Sequence, residues 1–181
     1  LSNYKTKYSE LTLIDDSVFK ICKLKLSNVE TEAESSAYFA HKFQLNGQNI
    51  KFRKAKITPT KTGQFVTLWK RNQKGIRKRN QKGITEPFSI SDKFDFCIIA
   101  VRQNEKFGLF IFSKPTLHEY KILSDKTREG KRGFRVYPPW SITVNQQALE
   151  TQLWQTKYFL DLSDNQNIDI RKAKTLLRLE K

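Results

Sequence analysis

Two near-continuous apolar runs set the tightest limit on how this chain folds. Residues 94–102 (FDFCIIAVR) and 107–112 (FGLFIF) are joined by a polar turn at 103–106. A strand covered on one face alternates apolar and polar residues, whereas a strand covered on both faces reads as an unbroken apolar run. The pair is therefore expected to form a hairpin at the centre of a sheet with material packed on both sides.

The flanking sequence supplies the rest of that sheet. Phe39, His41, Phe43 and Leu45 share one face of an alternating stretch, and Asn46-Gly47 marks a hairpin turn because both residues tolerate positive φ. The return strand, 48–57, sets Ile50 and Phe52 against Lys51 and Arg53, which predicts one core face and one cationic face. Thr58-Pro59-Thr60 stops it. A further strand is expected over 64–70, carrying Phe65, Val66, Leu68 and Trp69. Apolar residues between 4 and 26 recur at mixed three- and four-residue spacing, which predicts one or two amphipathic helices before an acidic stretch at Glu30, Glu32 and Glu34.

Toward the C-terminus, Pro115 opens a short helix at 114–120. A strand at 134–137 ends at Pro138-Pro139, and Asn145 caps a helix with Ala148, Leu149, Leu153, Trp154 and Tyr158 on one side. A last helix spans 168–179 with its Lys and Arg residues toward water. This order implies an α+β fold, a mixed sheet flanked by helices. At 181 residues the chain is sized for a single domain, 1–181.

Charge narrows the choice of partner. Lys and Arg outnumber Asp and Glu by 34 to 18, a net +16, which calls for nucleic acid, an acidic protein or an anionic membrane surface. Residues 70–77 read KRNQKGIR, and seven of those letters return at 78–84. This duplicated segment, 70–84, holds Lys70, Arg71, Lys74, Arg77, Lys78, Arg79 and Lys82 and no acid. Polar and punctuated by glycine, it reads as an exposed basic hairpin loop. With Lys51, Arg53, Lys54 and Lys56 on the neighbouring strand it predicts one continuous cationic surface for phosphate. Trp69 beside Lys70, and Trp140 and Tyr137 near Arg135, are candidate platforms for unpaired bases.

Other chemistries have little support. Cys22 and Cys97 are too few for a disulfide framework and fit a reduced, cytoplasmic setting. No apolar run reaches the length of a membrane span, and no apolar leader opens the given sequence. His41 and His118 stand far apart with no ligand spacing, so no zinc or other metal site is expected. No GxxxxGK[ST] or GxGxxG occurs.

The strings FQLNGQNIKFRKAKITPTKTGQFVTLWKR (43–71), FCIIAVRQNEKFGLFIFSK (96–114), KRGFRVYPPW (131–140) and QTKYF (155–159) resemble the MepB family over roughly residues 30–160. The resemblance implies a bacterial protein tied by name to a multidrug-efflux operon, with a fold similar to the PD-(D/E)XK nucleases. That fold's chemistry needs an Asp on one strand and an (Asp/Glu)-x-Lys on the next to hold Mg²⁺. Carried onto this sequence, Asp95 is the first acid and Lys114 the lysine, but Phe112 stands where the second carboxylate belongs. Glu34 and Glu105 are the nearest substitutes. The expectation is a catalytically degenerate nuclease fold that binds RNA and single-stranded DNA, duplex more weakly, with no cofactor. A divergent nuclease would use Mg²⁺ with Asp95, Lys114 and an unrecognised acid. A third reading is an accessory protein docking on an acidic partner or an anionic membrane surface.

Overall fold

The computed structural model describes residues 9–72 and 83–178. Its centre is a six-stranded sheet in the order β1 (Leu26–Thr31), β2 (His41–Leu45), β3 (Gln48–Lys54), β8 (Phe96–Gln103), β9 (Lys106–Ser113) and β11 (Phe159–Asp161). All neighbours are antiparallel except β3 and β8, which run parallel. Between them in sequence lie β4 (Lys56–Thr58), β5 (Lys61–Thr67), β6 (Trp69–Asn72) and β7 (Ile84–Pro87). With β10 (Gly133–Val136), β5 and β4 form a three-stranded sheet, while β6 and β7 pair as a separate hairpin.

The apolar runs behave as their lack of alternation requires. Phe96, Ile98 and Ala100 of β8 enter one core together with Leu11, Ile14 and Phe19, Phe43 and Leu45 of β2, and Ala173 and Leu177. Cys97, Ile99 and Val101 point the other way, into a core with Val66, Leu68, Leu117, Phe134 and Val136. Helices α1 (Ser9–Ile14) and α4 (Ile170–Leu176) contribute to the first layer. Helices α2 (Lys114–Glu119) and α3 (Gln146–Gln155) contribute to the second, together with the smaller sheet.

Local chemistry sets the turns and caps. Asn46 and Gly47 both take positive φ, 47° and 84°, in the β2–β3 turn. Asn145 caps α3 by accepting the Ala148 N–H at 2.8 Å. Ser113 caps α2 in the same way, with a proline in the first turn.

Several boundaries differ from the sequence expectation. The N-terminal helix is only Ser9–Ile14 followed by a wide helical turn, Asp15–Phe19, and Leu26 begins an edge strand instead of ending a helix. Short apolar runs do not separate helix from strand by period alone. Here Leu26 and Val29 pack on the first core across a bulge at Asn28, where φ is 53°. The expected strand 48–57 is two strands in different sheets, and 64–70 is divided between β5 and β6. Strand β11 carries no alternation and was not expected; it pairs with β9.

That pairing depends on Gly108, where an added Cβ would lie 2.2 Å from the Phe159 ring and 2.8 Å from the Leu160 carbonyl. Replacing Gly108 with Ala is expected to cost about 1–3 kcal/mol through overpacking. Urea unfolding measures it, as a lower midpoint at unchanged slope.

Candidate nucleic-acid interface

Strand alternation aims Lys51 and Arg53 of β3 away from the first core, and cross-strand register sets Lys51 opposite Lys42 and Lys42 opposite Glu30. One step along, Gln44 faces Asn49. The Asn28 amide donates to Gln44 Oε1 at 2.7 Å, and Gln44 donates to Asn49 Oδ1 at 3.2 Å, which makes an amide ladder across three strands. These side chains, with Lys93 and Phe94, line a polar groove of about 210 Å³. Next to Phe94, Asp95 accepts the Asn49 N–H at 2.7 Å.

Behind the groove is a buried charge cluster. Glu32 accepts Lys51 Nζ and stands 2.7 Å from Arg53 Nη1. The Arg53 side chain is 1% exposed, and its Nε and Nη2 are buried without a hydrogen-bond partner. Burial alone would raise the Glu32 carboxyl, but the charges of Arg53 and Lys51 win and hold it below its usual 4.5. Two cations on one carboxylate leave the cluster net positive, which suits an anion better than a divalent metal. The neighbouring Cys97 thiol is pushed up to about 12 by burial, so it is an inert core group.

The basic hairpin joins this groove through residues 88–94. Lys70 of β6 pairs with Asp92 at 2.6 Å and with Glu86 of β7 at 3.4 Å, while Arg71 reaches Glu34 at 3.4 Å. Asp92 also accepts the Ser89 N–H, and its backbone carbonyl accepts Lys114 Nζ at 2.9 Å. Phe88 packs on Phe94 and lies under Lys51 Nζ, 4.9 Å from the ring centroid. The stem therefore stands against the wall of the groove.

The expected interface residues meet different fates. Arg53 is interior, a correction to the cationic face read from alternation: Glu32, supplied by the chain just beyond β1, makes the buried position tolerable. Arg135 donates to the carbonyls of Lys61, Thr62 and Gly63 and to Thr58 Oγ1, bracing the β4–β5 turn. Trp140 packs edge-on to Phe159, with Lys106 over its ring, and Trp69 is half-buried beneath the Arg71 guanidinium. Lys54 pairs with Glu10 at 2.7 Å, whereas Lys56 is exposed beside the Tyr38 ring. Lys74, Arg77, Lys78, Arg79 and Lys82 fall outside the described residues. The groove residues Asn28, Gln44, Asn49 and Lys93 were missed, because polar residues on the outward side of a strand read as ordinary solvent contacts.

Asp95 and Lys114 are brought together by backbone only, Lys114 N–H to Asp95 carbonyl at 2.8 Å. Glu34 is engaged by Arg71, and Glu105 lies in the turn at the far end of the β8–β9 hairpin. His41 bonds the Phe39 carbonyl, while His118 bonds Asp125 at 2.7 Å. Among the described residues no group of three or more His, Cys, Asp or Glu is placed to hold a metal, and no helix is long and apolar enough to cross a membrane.

A family model described as MepB-like matches residues 32–161. The chain belongs to the MepB-like family. A crystal structure of MepB is 31% identical to it, covers 87% of this chain and 98% of its own, and superposes with a TM-score of 0.71. A bacterial homing endonuclease is also similar, at 12% identity over 84% of this chain and 89% of its own, with a TM-score of 0.45. No curated protein matches. The MepB-like fold is thus the mixed sheet with flanking helices implied by the sequence strings, and the endonuclease similarity is too distant to assign chemistry.

Proposed function

We propose that this MepB-like protein binds nucleic acid through the phosphate backbone, largely without regard to sequence, favours single strands over duplex, and leaves the strand intact. The carrying observation is the anchoring of the basic hairpin, through Lys70, Arg71 and Asp92, to the wall of a groove lined by amides and by three lysines against one acid, Glu30. The segment 70–84 holds no acid of its own, and Glu86, Asp92 and Glu34 beside its stem pair with Lys70 and Arg71. Neutralising phosphates there releases condensed counterions, a gain independent of sequence.

Binding without cutting is supported by the state of the candidate catalytic groups. The Asp95 carboxylate accepts the Asn49 N–H, the Lys114 ammonium serves the Asp92 carbonyl, and Glu34 is engaged by Arg71. A Mg²⁺ site needs carboxylates that converge on the ion, whereas Asp95 and Lys114 meet through their backbones.

Labelled single-stranded DNA, RNA and duplex of equal length, titrated at two salt concentrations with and without Mg²⁺ and then run on a gel, test the reading. Salt-sensitive binding with intact strands is expected. Mg²⁺-dependent fragments would restore the nuclease, and no binding to any strand would redirect attention to an acidic protein or an anionic membrane. In the same assay Asp95→Asn keeps an acceptor for the Asn49 N–H and should leave affinity within about twofold. A tenfold loss would reveal a metal or charge role for that carboxylate.

A further inference from the structure

A second aromatic pair lies away from Trp69 and Trp140, each of which has a cation over its ring. Tyr120, just after α2, stacks on Trp154 of α3 with centroids 3.8 Å apart and planes 6° from parallel. Both rings are half-buried and line a cleft of about 340 Å³ between β10 and α3, at the small end of the range for ligand sites. Phe112 and Tyr158 back the Trp154 ring at 5.4 and 6.4 Å, which fixes the platform against the second core.

The polar groups at this cleft suit a nucleotide. Gln147 on α3 offers an amide, the Thr151 hydroxyl, which donates to the Gln147 carbonyl at 2.8 Å, can still accept, and exposed Lys131 supplies a cation at the margin. Burial, and then the charge of Glu119, push the Tyr120 phenol up, so its hydroxyl stays a neutral donor. Of the two cationic residues in the lining, Arg135 is engaged with the β4–β5 turn, so Lys131 is the place for an anion.

We propose that this cleft receives one unpaired nucleobase, stacked on the Tyr120 face turned away from Trp154, with its phosphate at Lys131. The inference rests on the nucleic-acid reading above and supplies its single-strand preference. A paired base keeps its faces inside the duplex stack and cannot enter without being flipped out.

Two variants and one small probe test it. Tyr120→Leu removes half of the platform, and Gln147→Phe fills the cleft from an exposed helix position where a larger side chain displaces no core group. Each should weaken single-strand binding by roughly 5- to 150-fold, the value of one stacked base, while duplex binding stays within about twofold. Adenosine 5′-monophosphate should quench the tryptophan emission of the unsubstituted protein and lose that effect in both variants. If strands bind but neither variant nor the mononucleotide has any effect, the cleft assignment is overturned and the basic grip stands. If the mononucleotide quenches while no strand binds, the cleft stands and the grip falls.

Discussion

Replacing Lys74, Arg77, Lys78, Arg79 and Lys82 together with glutamine should lower affinity for single strands at low salt by about two orders of magnitude. The same change should flatten the dependence of log affinity on log salt by about 0.7 for each phosphate that is no longer neutralised, or about 3.5 if all five cations reach a phosphate. Both quantities come from one set of titrations between about 50 and 200 mM salt. An unchanged slope would remove the loop from the interface. Lys70 and Arg71 are left out because Lys70 pairs with Glu86 and Asp92, and Arg71 with Glu34. Neutralising them would loosen the stem, and weaker binding would then no longer report on phosphate neutralisation.

Glu32→Ala should destabilise the fold by about 3–5 kcal/mol, as much as truncating a buried core aromatic. It strips the counter-ion from a guanidinium that has no access to water and from a half-buried ammonium. Glu32→Leu combined with Arg53→Met should recover part of the loss, because an apolar pair removes the unpaired charge instead of stranding it. Urea midpoints at constant slope provide the comparison. If the double variant is no more stable than Glu32→Leu alone, the stranded charge is not what destabilises the single variant.

The same carboxylate dictates a pH signature. Its folded pKa lies below the usual 4.5, so its contribution is fully present above that value and is lost as pH falls through the folded pKa. Acid unfolding of the parent should therefore steepen below about pH 4.5, while in Glu32→Gln this component should be missing.

Much of the architecture was legible because it depends on residues close in sequence. The unbroken apolar runs of β8 and β9 announced burial on both faces, Asn46-Gly47 announced its turn, and Asn145 announced the start of α3. The quoted strings of the family resemblance, spanning about 30–160, agree with the match over 32–161. The candidate site was less legible. The amide ladder draws on Asn28, Gln44 and Asn49 from three strands, and the clamp on the basic hairpin draws on Glu34, Glu86 and Asp92.

Arg53 shows where the boundary falls. Alternation along 48–54 determined that Lys51 and Arg53 share a face opposite Ile50 and Phe52, since successive side chains on a strand point to opposite sides. Whether that face meets solvent was decided only when the chain beyond β1 brought Glu32 against it and the second core closed over it. The sequence by itself determined the sheet's central strands, its local turns and the excess of positive charge, all consequences of side-chain period, backbone preference and composition. Tertiary structure decided which cations are spent in internal ion pairs and which aromatic rings stack on one another, because a charge or a ring acquires its partner through chain segments brought close only by folding.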